Sequence, residues 1–559
     1  MKKDSLKPFG VIAGAILFNI FFWSEKLALN GLLFDVFIIA AVFYFYPFAI
    51  KNHYSRWVAL GNILTAAMVV IHNTILSKIG CGVTLLFFVA FSQYTHRSAL
   101  YAGGSVVLNY VLAIPNFFRS FGNVRNRKYN LATILRPIRM LLVPAMLLGI
   151  FFIIYALANT VFSNIACEMV TAVLRWIANM LSWLSIPRFS FFLLGMLITA
   201  GLILAVRDNS FSVADMAGKD DLRRKKGPLK KWRESLAGGL LTAIIGKAST
   251  GMLAIKNEFK IGLISLVFLN ILLLFINFLD IKYVWLGFTF SKDVSLSAYV
   301  HEGAGLLIFS IVLAMVVLLF FFRGNLNFYK ANKFLKWGAY LWIIQNGILV
   351  ISVLIRDYYY IVHYGLAYKR IGLLFFLAMV AVGLLTVFWK IRFAKTTYYL
   401  LRINAWAALF LLVSASTVHW DYTIAKYNLA RKSSIPLDIP FLLSLSDKTL
   451  PLIEMNKDVL ENDNHTWVYY KHNAFQKTAF EFSQFRKNDF LEEQKNYTWL
   501  SWNAADDYVK NAFNVSSATT FTNSSLIKSL CDYSYSGNGP WCSGDYLSSL
   551  RLILFLSPY

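Results

Sequence analysis

His301 and Glu302 stand side by side at the entry to one apolar stretch, and Arg356, Asp357 and Arg370 flank two others. Ionisable groups near a bilayer are costly unless paired or hydrated, so several of them at span ends point to a site. A carboxylate such as Glu302 beside a guanidinium such as Arg356 or Arg370 can hold a polar headgroup, and an imidazole there can shuttle a proton near neutral pH. With Asp280, Tyr299, His363 and Lys369, these residues predict a polar rim on which Glu302, Arg356 and Arg370 converge. The plainer alternative is that interfacial side chains snorkel to water and pair with one another.

Familiar catalytic patterns are missing. His301-Glu302 does not open a zinc-protease helix, because Gly305 and Leu306 stand where the second His would fall. There is no Walker A loop, nucleophile elbow, Cys-x-x-Cys pair or dinucleotide fingerprint, so no cofactor, metal or catalytic residue is assigned. Within the apolar stretches, His72, Asn73, Asn270, Asn277, Gln345 and Asn346 would either line a transport path or tie neighbouring helices. Full charges are absent from the middle of every stretch, and no inverted repeat is evident, both of which count against ion-coupled transport.

The elements that must position these residues are membrane helices. Eleven apolar stretches, at 8–24, 31–50, 57–77, 80–96, 139–161, 188–206, 259–279, 302–322, 337–355, 371–389 and 402–418, each suit a hydrocarbon core. Hydrophobic residues make up 58% of the chain, and the mean hydropathy is +0.56, outside the balance of a soluble domain. The fold class expected is an all-α multipass transmembrane bundle with a small C-terminal α+β domain. Its regions are 1–138, 139–258, 259–418 and 419–559.

Charge sets the expected orientation. Of 54 Lys and Arg, 41 fall before residue 419, so the basic excess belongs to the membrane part and is not a nucleic-acid footprint. Placing the N-terminus inside puts 32 of those 41 on the cytoplasmic side, which predicts N-inside, C-outside in a bacterial inner membrane. The sharpest cluster, Arg223, Arg224, Lys225, Lys226, Lys230, Lys231 and Arg233, would anchor that side to anionic headgroups or dock an acidic partner. Ala99–Pro115 and Leu236–Ile255, both flanked by basic residues, are expected to lie at the interface. So is 163–186, with Trp176 and Trp183 on one face.

Three stretches carry a resemblance. Leu296-Ser-Ala-Tyr-Val-His-Glu-Gly303 and Arg356-Asp-Tyr358 with Tyr364-Gly-Leu-Ala-Tyr-Lys-Arg-Ile371 precede spans. Ile424-Ala-Lys-Tyr-Asn428, Leu437-Asp-Ile-Pro-Phe-Leu-Leu-Ser-Leu-Ser-Asp447 and Leu450-Pro-Leu452 follow the last one. In this order they resemble the bacterial polytopic family called domain of unknown function 4173, related to number 4153. The resemblance implies architecture and an inner-membrane location, and no activity.

In the tail, Trp467 to Tyr470 reads as strand, and Phe475–Phe485 and Asp506–Phe513 as helix. Trp499-Leu-Ser-Trp-Asn503 reads as core packing or as an aromatic surface, with packing favoured. Cys531 and Cys542, separated by turn residues in an exported segment, are expected to form a disulfide. Three readings of function follow: an envelope or signalling scaffold for protein partners, an enzyme or carrier for a lipid-linked substrate at the outer rim, and a small-solute transporter.

Overall fold

A computed structural model describes residues 2–122, 144, 148, 151–152, 168–169, 171, 185–224, 254–286, 296–322, 324–461, 466–470 and 473–518. The stretch 139–161 and the segments 163–184, Lys225–Arg233 and Leu236–Met252 lie wholly or mainly outside them, as do Cys167, Cys531 and Cys542. By contacts the chain divides into residues 1–509 and 510–559.

The first unit is a helical membrane bundle. Helices α1 (Lys2–Phe22), α2 (Leu29–Phe45), α3 (His53–Ile71), α4 (Ile75–Gln93), α5 (Ala99–Val111), α6 (Ala113–Gly122), α7 (Ile186–Ile203) and α8 (Ser210–Ala217) come first. They are followed by α9 (Ala254–Asp280), α10 (Leu296–Phe321), α11 (Asn332–Tyr364), α12 (Tyr368–Arg392) and α13 (Thr397–Ser416). Eight of these, or nine if the bent α5–α6 pair counts as one span, are long and apolar enough to cross a membrane; α2 and the apolar part of α10 are shorter. Some begin at caps that the local sequence supplies. Thr74 and Ser77 form a capping box on α4, and Pro187 sits in the first turn of α7 behind the Ser185 cap.

Two cores result. Val11, Ile38, Phe88, Phe91 and Ile203 bind α1–α5 and α7 into an N-terminal bundle, while Leu266, Ile311, Leu335, Leu349 and Ile391 bind α9–α12. α13 packs between them, touching α4 and α5 on one side and α12 on the other. The amides anticipated as transport or packing groups tie helices: Gln345 donates to Asn270 Oδ1 at 3.0 Å, and Asn277 to the Gln345 carbonyl at 3.1 Å. Ala99–Pro115, expected at the interface, packs one face on the bundle and leaves Leu100, Val107, Val111 and Ile114 exposed. Ala102 and Ser105 are buried, α5 packs against α4, α7 and α13, and the chain bends by 65° into α6. Pro115 lacks the N–H that would reach the Val111 carbonyl, which accounts for the break.

Residues 420–509 lie across one end of the bundle, the capped end. They comprise α14 (Trp420–Ala430), α15 (Ile439–Ser444), a hairpin of β1 (Thr466–Tyr470) and β2 (Asn473–Thr478), α16 (Ala479–Glu493) and the start of α17 (Ala504–Ala518). Strand therefore extends to Thr478, past the expected helix start at Phe475, because Thr478 and Glu481 form the capping box that opens α16. This region's apolar core, Ile424, Leu429, Leu442 and Phe482, is continuous with Ile371 of α12. Lys448 donates to the His72 and Asn73 carbonyls at the end of α3, and Leu29 N–H donates to the Trp502 carbonyl at 3.2 Å. Both Trp499 and Trp502 are exposed, which overturns the core-packing reading; Leu500, Ser501 and Asn503 are the buried members of that stretch.

One cap residue titrates. His419 Nδ1 accepts from Tyr422 N–H at 3.0 Å, capping α14, and this needs an unprotonated nitrogen. Burial, with the Lys448 charge next, pushes its imidazole down to about 4 from 6.5. Between those values the unfolded chain binds a proton that the folded chain does not. Stability is thus complete above about pH 6.5 and falls as pH drops toward 4, by on the order of 2 kcal/mol. Thermal unfolding across this range should show that loss, and His419→Asn, which caps without titrating, should flatten it. An unchanged slope would assign the acid sensitivity to other groups.

Candidate functional site

At the capped end, α11 stops at Gly365, whose φ of 79° and ψ of −173° fall in a region essentially closed to other residues. Leu366 and Ala367 then turn the chain into α12. This turn is pinned by Asn428 of α14, whose Oδ1 accepts from Leu366 N–H at 2.6 Å and whose Nδ2 donates to the Leu366 carbonyl at 2.9 Å. A Cβ at Gly365 would stand 2.5 Å from Asn428 Oδ1, so glycine is required there for space as well as for conformation. Arg370 closes the turn from α12, donating to the Tyr364 and Gly365 carbonyls and lying 4.2 Å from the Tyr360 ring centre.

Between this turn and residues 435–441 lies a recess of about 330 Å³. Leu366, Ile435, Pro436, Leu437 and Phe441 supply an apolar lining, with Lys369, Arg370 and Asp438 around it. Asp438 caps α15 by accepting from Phe441 N–H, while Lys369 is exposed and has no ion pair among the described residues. Tyr368 donates to Asp421 Oδ1 at 2.6 Å. Burial alone would raise the Asp421 carboxyl, but donors from Ser446 and Tyr368 hold it below the usual range.

The anticipated rim residues have these positions. Arg356 pairs with Asp280 of α9 at 2.6 Å, and both are buried. Asp357 is 1% exposed and its Oδ2 has no hydrogen-bond partner among the described residues. Arg370 lines the recess. His301 and Glu302 belong to α10, but their side chains lie outside the described residues, and with them the expected approach of Glu302 to Arg356 and Arg370. Arg223 and Arg224 are exposed; the rest of the basic cluster is outside the described residues.

Sequence reasoning missed a second polar centre, at the opposite end of the bundle. His96 Nδ1 lies 3.0 Å from Asp215 Oδ2, and His96 Nε2 lies 2.8 Å from Ser105 Oγ. The order Ser, His, Asp is that of a nucleophilic triad, yet all three residues are 0–1% exposed, so no substrate reaches Ser105. Burial would raise the Asp215 carboxyl, but His96, Tyr398 and the Arg97 and Ser98 N–H groups together hold it low. The cluster therefore fastens α5, α8 and α13. No short-range motif announces it, since His96 and Asp215 are 119 residues apart.

The segments that build the recess are those singled out in the sequence: Tyr364–Ile371, Ile424–Asn428 and Leu437–Asp447. A family model, Domain of unknown function (DUF4153), matches residues 35–456. The chain belongs to that family. The match is to number 4153 rather than to the related 4173. It covers most of the bundle and the recess, and it carries no activity. No curated protein and no solved structure matches the chain.

Proposed function

We propose that this DUF4153 member binds the anionic head of an amphiphile, a membrane lipid or a lipid-linked substrate, in the recess at its capped end. The observation that carries this reading is the recess itself: an apolar lining joined to Lys369 and Arg370 in the first turn of α12. An apolar wall suits the part of the ligand nearest the hydrocarbon, and exposed Lys369 offers a cation to a phosphate or carboxylate, with Arg370 next to it in the lining. Ser, Cys and His are missing from the lining, so holding and presenting a ligand suits it better than covalent chemistry. Sidedness follows from the distribution of Lys and Arg, which puts the capped end outside a bacterial inner membrane. The scaffold reading leans on the basic cluster, most of which is outside the described residues.

The test is lipid retention. Purified full-length protein exchanged into mixed micelles should keep phosphatidylglycerol over phosphatidylcholine, and Lys369→Glu should reduce that preference about tenfold, the effect of roughly 1.4 kcal/mol. Equal retention by wild type and variant would remove the recess as the binding site. A cysteine introduced by Lys369→Cys should react with a membrane-impermeant maleimide in intact cells; labelling only after lysis would reverse the orientation.

A further inference from the structure

The N-terminal bundle encloses an acid that neither the recess nor the helix ends use. Asp35 stands six residues into α2, about 9 Å from its first residue, and is 5% exposed. Its Oδ2 accepts from Cys81 Sγ of α4 at 2.9 Å and from Asn62 Nδ2 of α3 at 3.0 Å. Asn62, fully buried, also donates to the Cys81 carbonyl at 3.2 Å and Thr84 Oγ1 at 3.3 Å, while its own Oδ1 has no partner among the described residues. Every donor around the carboxyl is neutral.

Among the described residues, no cation pairs with this carboxyl. Cys81 is the titratable group facing Asp35. The packed helices carry charged residues only toward their ends: Lys2, Lys3, Asp4 and Lys7 on α1, Glu25 after it, Lys26 before α2, Arg56 on α3, Lys78 on α4 and Arg188 on α7. A carboxylate held in a membrane bundle without a cation costs several kcal/mol, and two neutral hydrogen bonds return about 1 kcal/mol each. Protonation removes the deficit. Toward the capped end the polar side chains Ser77 and Thr74 follow Cys81 along α4, while the opposite end of α2 lies about 15 Å away.

We propose that Asp35 is an intramembrane proton-binding site, a carboxylic acid at rest that exchanges one proton toward the capped end past Ser77 and Thr74. The step balances as carboxylic acid giving carboxylate plus a proton, with Cys81 and Asn62 donating to the anion left behind. Asp35 lies toward one end of its span, away from the middle that the sequence reading found free of full charges, and the site stands apart from the recess.

Infrared spectroscopy of the purified full-length protein tests it. Wild type minus Asp35→Asn should show a carbonyl band of a protonated carboxyl, lost in the variant, which moves to lower frequency in D₂O. Cys81→Ser should shift that band without removing it, and this comparison serves if Asp35→Asn does not fold. Absence of the band from wild type, or identical bands in wild type and both variants, would show that Asp35 is ionised or is not the source. A band that D₂O leaves unmoved would overturn the exchange.

Discussion

Replacing Gly365 by alanine is expected to destabilise the protein by roughly 3 kcal/mol and to abolish the preference for anionic lipid. The backbone there occupies a region that costs about 1–3 kcal/mol for a residue with a Cβ. The new methyl would also displace the Asn428 side chain, forfeiting two hydrogen bonds to Leu366 worth about 1 kcal/mol each. Thermal unfolding in detergent measures the first effect and lipid retention the second. Asn428→Ala separates the causes, since it relieves the contact and leaves the backbone conformation unchanged. If Gly365→Ala unfolds at the wild-type temperature, the turn is not built as described.

Arg356→Met should be equally damaging for an electrostatic reason. It strands Asp280, which is buried and whose second oxygen already lacks a partner among the described residues. Removing one member of a buried pair costs about 3–5 kcal/mol, because the remaining charge is uncompensated. Replacing both members, Asp280→Leu with Arg356→Met, should recover most of the loss. Accumulation in membranes and unfolding temperature check this, and a double variant no better than the single one would show that Arg356 acts mainly through other neighbours.

These two sites show how far the sequence could be read. The helices were legible because a bilayer demands runs of about 20 apolar residues, and eight or nine of the described helices meet that demand. Gly365 stood in one of the quoted motifs, but its part in ending α11 emerges only from the backbone angles and the Asn428 contact. Arg356 was recognisable as a group needing a carboxylate, but electrostatics names the kind of partner and not its address. The described partner is Asp280, 76 residues earlier, chosen by how α9 and α11 pack. Asp35 was passed over because a single acid near a span end reads as interfacial until neighbouring helices are seen to enclose it. The exposure of Trp499 and Trp502 was hidden for a related reason: aromatic residues suit a core and a surface equally, and only the docking of Ser501 and Trp502 against Lys26 and Leu29 turns the rings outward. The recess was visible as three separated motifs, but not as a cavity, because its walls meet through tertiary contacts such as the Asn428 pin and the Tyr368–Asp421 bond.

The length of α11 acts as a ruler for the whole molecule. Its 33 residues rise about 50 Å, against a hydrocarbon thickness near 30 Å, and a tilt of about 20° removes only a few ångströms. From Lys336 to Arg356 the rise is about 30 Å, the thickness of one hydrocarbon core, and Tyr364 lies eight residues and about 12 Å farther along the axis. The helix is therefore longer than a single crossing needs, and part of it must extend past one hydrocarbon core.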